Sequence, residues 1–270
     1  MAFQYKKRTL DDLKRKESTA GRDFDPYLNP TIPKFKPKVG INRIRILPPT
    51  WESSDYEYVI WLHYGIGPDE STYVCPQKMG KGNCPICEDR AKNRGRMTKD
   101  ELARTAPKQR PLVYIIDRSD EDAGPKIWPM PITVSKELVL RQRDVDGSII
   151  YIDHPEEGYD IEFMREGEKI GTKYLAINVA RKASPLSVDE DQMNEWLNFI
   201  VQNPLPDQVI FYDYDRIASA YGKFNVADNI ENKQDVVVEK EEVVIEASDD
   251  QDDEDIDVAE YIAKLRRAKG

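Results

Sequence analysis

Four residues constrain this chain more than any others: His63, Cys75, Cys84 and Cys87, which include every cysteine it has. They fall in a stretch rich in glycine and proline with too few apolar residues to build a core of its own. Something other than hydrophobic burial has to fix that stretch. Cys84-Pro85-Ile86-Cys87 is a C-x-x-C pair, a spacing that lets two thiolates reach one ion from a tight turn, and Cys75 lies upstream of the pair with eight residues between. His63 completes a set of four, with His154 the alternative imidazole. Zinc takes four tetrahedral sulfur or nitrogen ligands, and a filled Cys3His shell leaves no open position for substrate or water. One structural Zn2+ is therefore the expected cofactor, able to contribute on the order of 10 kcal/mol to folding in small metal modules. A thioredoxin-like redox role fits less well, because the pair follows Gly80-Lys81-Gly82-Asn83 in a loop rather than the start of a helix after a strand.

Three clustered cysteines do not make a disulfide framework, which points to a reducing compartment. The chain shows no apolar run of membrane-spanning length, and Met1 to Leu10 has no apolar signal-peptide core, so a cytoplasmic protein without a membrane partner is expected. The net charge of −10 argues at first against an anionic partner. The average conceals a division: residues 231–260 carry fourteen acidic side chains against two lysines, a net of −12, which leaves about +2 for the rest. Residues 1–50 hold twelve Lys/Arg against five Asp/Glu, and residues 75–110 hold ten against four. Both segments are basic enough to follow phosphates.

Three parts are expected: a basic N-terminal arm at 1–25, a core at 26–229 with a zinc subdomain at about 60–95, and a disordered acidic tail at 230–270. Pro26, Pro30, Pro33 and Pro37 make an extended lead-in to the core. Strands are expected from Gly40 to Leu47, Tyr56 to Tyr64, Leu112 to Ile116, Lys126 to Val134, Ser148 to Ile152, Tyr159 to Arg165 and Tyr174 to Ala180. Asp146-Gly147 and Glu166-Gly167 supply turns. A short helix and a loop fit Glu88 to Arg110, and Ser135 caps a short helix through Arg141. Met193, Trp196, Leu197 and Ile200 mark an amphipathic helix, Ile217 to Tyr221 a shorter one, and Val258, Tyr261, Ile262 and Leu265 a terminal helical face. The core is thus mainly β with flanking helices.

Single strands of nucleic acid are held by a basic groove plus aromatic platforms, each stacked base contributing roughly 1 to 3 kcal/mol. Both ingredients occur together here. Arg43 and Arg45 share one strand face, and Trp51, Tyr56, Tyr58, Trp61, Tyr64 and Tyr73 follow closely. Lys78 and Lys81 flank the cysteines, with Arg90, Lys92, Arg94 and Arg96 beyond; Arg104, Lys108 and Arg110 precede the strand carrying Tyr114, and Trp128 lies in the next. Roughly half of these rings belong to the core by the usual share of aromatics in β structure. The only dense acidic group inside the core, Asp117, Asp120, Glu121 and Asp122, reads as a turn rather than a catalytic metal site.

These residues resemble the single-stranded-DNA-binding, helix-destabilising proteins of T-even-like bacteriophages. Lys14-Arg15-Lys16, then Glu17, then Ser18-Thr19-Ala20 is similar to the family's cooperativity motif, with Glu17 interrupting it. Ile44-Arg45-Ile46-Leu47-Pro48 is similar to the end of the family's first barrel strand, and His63, Cys75, Cys84 and Cys87 match its zinc ligands in order. The resemblance implies an OB-fold barrel of about five strands with a zinc-binding insertion, a DNA-lining role for Arg45, and no chemical step. It implies single-stranded DNA as partner, coated and protected during replication, recombination and repair. It also implies self-association along the strand through Lys14, Arg15, Lys16, Ser18 and Thr19, and an acidic tail that recruits replication and recombination proteins. The rival expectation is a zinc-containing adaptor that binds proteins through its tail and no nucleic acid through its core.

Overall fold

The computed structural model describes residues 25–67, 70–144, 146–168 and 171–231, the last nine by their backbone alone. The expected arm residues Lys14, Arg15, Lys16, Ser18 and Thr19, the acidic tail beyond 231 and the terminal helical face all lie outside the described residues. Among the described residues, no helix is long and apolar enough to cross a membrane.

Seven strands form one antiparallel sheet: β1 (Gly40–Ile46), β2 (Tyr58–Ile66), β3 (Ser71–Val74), β4 (Lys108–Asp117), β5 (Lys126–Pro129), β6 (Asp160–Glu166) and β7 (Lys173–Val179). The path runs β3-β2-β4-β1-β6-β7, with β5 paired to β4 off that path. The sheet is open: among the described residues no ladder joins β3 to β7. β4 holds it together. Its Leu112 pairs with Tyr58 of β2 and Pro129 of β5, while its Ile115 pairs with Ile46 of β1 and Lys126 of β5. Since a residue has one partner per edge, β1 and β2 lie end to end along one edge of β4, and β5 takes the other. The outer edge of β5 is covered by the proline-rich lead-in, where Ile127 donates to Pro33 and Phe35 donates to Ile127.

Alternation along β4 divides the core in two. Leu112, Tyr114 and Ile116 face Ile60, Leu62, Trp196 and Ile200; Val113 and Ile115 face Ile44, Ile46, Trp128 and Phe163. Among the described residues, five α-helices flank the sheet: α1 (Pro85–Asn93), α2 (Lys99–Thr105), α3 (Ile132–Arg141), α4 (Glu190–Gln202) and α5 (Tyr214–Glu231). In α4, Asp189 caps the first turn by accepting from the amides of Asp191 and Gln192, and Trp196 and Ile200 fill the apolar stripe.

Several expected elements differ, and Glu88 to Arg110 holds most of α1, all of α2 and the start of β4 rather than one short helix and a loop. The strand from Lys126 stops at Pro129, because Pro129 and Pro131 remove ladder donors, and Ile132 already begins α3. Ser135 is therefore interior to that helix and donates its hydroxyl to Glu57 instead of capping. Ser148 to Ile152 is no strand: Ile149 bridges Arg143 and Ile150 donates to Gln142, so the segment folds back on the end of α3.

Candidate metal centre and the surface beside it

β2 brings His63 into the interior, and pairing with β3 places Tyr73 opposite it and Cys75 just past the ladder's end. Cys75 donates its amide to the Trp61 carbonyl, which locks the loop onto β2. Pro85 starts α1, for which its fixed φ and missing donor are suited, so Cys84 precedes the helix and Cys87 lies in its first turn, and the pair sits at a helix start rather than in the loop expected from the sequence. The ligand atoms of His63, Cys75, Cys84 and Cys87 all lie within 4.8 Å of one another. His63 Nε2 is 3.4 Å from Cys84 Sγ and 3.5 Å from Cys87 Sγ, and Cys75 Sγ is 3.5 Å from Cys87 Sγ. A tetrahedral ion with bonds of about 2.3 Å to sulfur and about 2.0 Å to nitrogen sets edges of about 3.8 Å and about 3.5 Å. The four residues thus fit one structural metal ion.

Electrostatics points the same way. Hydrogen bonds from Cys84 and Cys87 push the Cys75 thiol far down, while hydrogen bonds to the Cys75 and Cys84 sulfurs, together with burial, push the Cys87 thiol far up. Three sulfurs cannot share negative charge at this spacing unless a cation joins them. Burial lowers His63, but hydrogen bonds to the Cys75 and Cys84 sulfurs outweigh it and raise the imidazole to about 9. A metal at Nε2 replaces that proton. The other ring nitrogen, Nδ1, lies 2.9 Å from the Thr105 carbonyl, which only accepts, so Nδ1 is the donor.

The segment is not as bare as its composition suggests. Ile66, Tyr73, Cys75, Cys84 and Ile86 form a third apolar cluster with Ile217 and Tyr221 of α5. Tyr214 and Tyr221 also donate to Glu88 and Asp89 of α1, each at 2.7 Å. Gly67 makes the approach of α5 possible, since a Cβ there would lie 2.9 Å from the Ala220 carbonyl oxygen.

The residues expected at a nucleic-acid surface divide into two groups. Lys78, Lys81, Arg104 and Lys108 are exposed and Arg110 is half-buried. Lys78 sets its ammonium 5.0 Å from the Trp61 ring centre, and Arg110 donates to the Tyr64 hydroxyl at 3.0 Å with its guanidinium over that ring. Trp51 is half-buried, edge-on to Tyr58. Arg43 remains half exposed and pairs with Asp160 and Glu162.

The second group is core. Trp128, 1% exposed, stacks on Phe163 at 5.1 Å; Tyr114 donates to the Asn203 carbonyl; Tyr73 meets Tyr212 edge-on. These rings have no free face for a base. Arg45 is completely buried and donates to the carbonyls of His154 and Ser184 beside Asp160, so it presents nothing to a phosphate. His154 itself accepts from the amides of Glu156 and Glu157 and takes no part in the metal set. Sequence reasoning missed Thr105, Asp160 and Arg118, which act through contacts between distant segments. Neither a family model nor a curated protein matches this chain.

Proposed function

We propose that this chain is a single-stranded-DNA-binding protein of the kind made by T-even-like bacteriophages, with a structural zinc ion in the His63, Cys75, Cys84 and Cys87 cluster. The observation that supports the reading is the exposed Lys78, Lys81, Arg104 and Lys108 and the half-buried Arg110 on the segments around that cluster, with Trp61 and Tyr64 under two of these cations. Cations neutralise phosphates without regard to sequence, and a ring already stacked under a cation offers the same face to a base. On this reading the open sheet is an OB-type barrel, the zinc module is its insertion, and the protein coats unpaired DNA in replication, recombination and repair without catalysing a reaction. The same reading assigns the basic arm to self-association along the strand and the acidic tail to recruitment of replication and recombination proteins.

The test is a titration of fluorescent oligonucleotide at two salt concentrations, with metal-loaded and chelated protein. Five phosphate contacts on a single strand correspond to a log–log salt slope of roughly −3.5. Binding should prefer single strands over duplex and weaken on chelation. Absence of binding by loaded, folded protein would leave the adaptor reading in its place.

A further inference from the structure

The hydrogen bond from His63 Nδ1 to the Thr105 carbonyl joins the metal cluster to the end of α2. Seven residues make too short a helix to persist alone. Of those seven, Thr105 is the sole buried one, so apolar packing does not anchor α2. Other hydrogen bonds on α2 are the capping box of Thr98 and Glu101, the Thr105 hydroxyl donating to the Glu101 carbonyl, and Arg90 Nε of α1 reaching the Leu102 carbonyl at 3.4 Å. By contrast His63 and Thr105 are 0% and 3% exposed, and a hydrogen bond between groups so buried has no water to replace it. Arg104 immediately precedes Thr105 and Lys108 opens β4 three residues later.

We infer that the Thr105 carbonyl is a positioning group through which the metal fixes the end of α2, and with it Arg104. Coordination at Nε2 keeps the imidazole neutral, orients its plane and strengthens Nδ1–H as a donor, the usual role of an outer partner to a metal-bound histidine. Losing the metal then loosens the ring and the end of α2 that carries Arg104 together. The consequence for DNA rests on the function proposed above; the link between metal and helix does not.

His63→Cys separates the link from the metal, because a fourth thiolate can still complete a tetrahedral site but has no second donor to offer Thr105. Metal content by mass spectrometry and amide hydrogen exchange are measured on the full chain. The expected result is stoichiometric metal with exchange across 99–105 accelerated about tenfold, while β4 beyond Leu112 is unchanged. Retained metal with unchanged protection of α2 overturns the inference. If the variant loses metal or unfolds, nitrogen-15 NMR of the histidine-labelled, metal-loaded wild type decides instead. The inference requires metal at Nε2 and a slowly exchanging proton on Nδ1; metal at Nδ1, or rapid exchange of that proton, overturns it. Wild-type protein that binds no oligonucleotide would sink the functional proposal and leave both of these readouts untouched.

Discussion

Replacing Asp160 with asparagine tests the charge cluster at the centre of the sheet. Arg118 lies 2.9 Å, Arg43 3.1 Å and Arg45 3.6 Å from the Asp160 carboxylate, which is itself buried. Arg45 cannot turn outward. It is 0% exposed, two carbonyls hold its Nη2, and Gly158 packs so close that a Cβ there would lie 2.6 Å from that nitrogen. Burial pushes the Arg45 guanidinium down to about 10 against the pull of Asp160, and Arg118 pushes in the same direction as burial. Without the carboxylate, Arg45 is a buried cation facing another cation. Breaking a buried pair of this kind costs about 3 to 5 kcal/mol, whereas half-exposed Arg43 recovers its loss from water. In a core of this size each kcal/mol shifts the midpoint by roughly 2 to 4 °C, so Asp160→Asn should melt about 6 to 20 °C lower. Differential scanning calorimetry measures it, with urea unfolding as the check. Adding Arg45→Met to that variant should return most of the loss, because the orphaned charge is then gone. A loss under about 1 kcal/mol, or no recovery in the double variant, would refute the argument that burial of Arg45 sets the cost.

Trp128→Ala should cost about 3 to 5 kcal/mol in urea unfolding and leave the oligonucleotide affinity of the folded fraction unchanged; a specific loss of affinity would return Trp128 to the surface. Lys108→Ala should reduce the magnitude of the salt slope by about 0.7 at an unchanged melting midpoint, and an unchanged slope removes Lys108 from the proposed phosphate contacts. Cys84→Ser takes away one of four donors, so metal content should fall below one per chain after dialysis; a fully loaded variant of wild-type stability would argue against the site. Burial pushes the Glu57 carboxyl up to about 7, with the Ser135 hydrogen bond opposing and Asp55 assisting. Because the folded value is the higher one, this group's contribution to stability is complete below about pH 4.5 and is lost as pH rises through about 7, by at most about 3 kcal/mol. Glu57→Gln should flatten that part of the stability curve, and an unchanged pH dependence between 4.5 and 7 would show that Glu57 is hydrated in the folded state.

Local chemistry wrote much of this molecule into its sequence. The β-branched run ending at Pro48 and Pro49 became β1, Leu112 to Ile116 became the middle of β4, and the spacing of Met193, Trp196 and Ile200 became α4. These elements depend on period and on punctuation by proline, which neighbours in the chain supply. Ser71–Val74 was legible as β-branched and aromatic residues but was hidden by the glycines, prolines and cysteines around it.

His63, Cys75, Cys84 and Cys87 could be grouped from residue type and spacing, because few side chains bind soft metals and all of the cysteines sit in one stretch. The tertiary structure decided which cations and rings stay at the surface. Arg43 and Arg45 share a strand face and a charge, yet one meets water and the other is enclosed by Asp160, Ser184 and the loop at Gly158. Trp61 and Trp128 read alike in the sequence, but Phe35 and Phe163 close around only the second. Burial is a property of what arrives from elsewhere in the chain, and no local pattern records it.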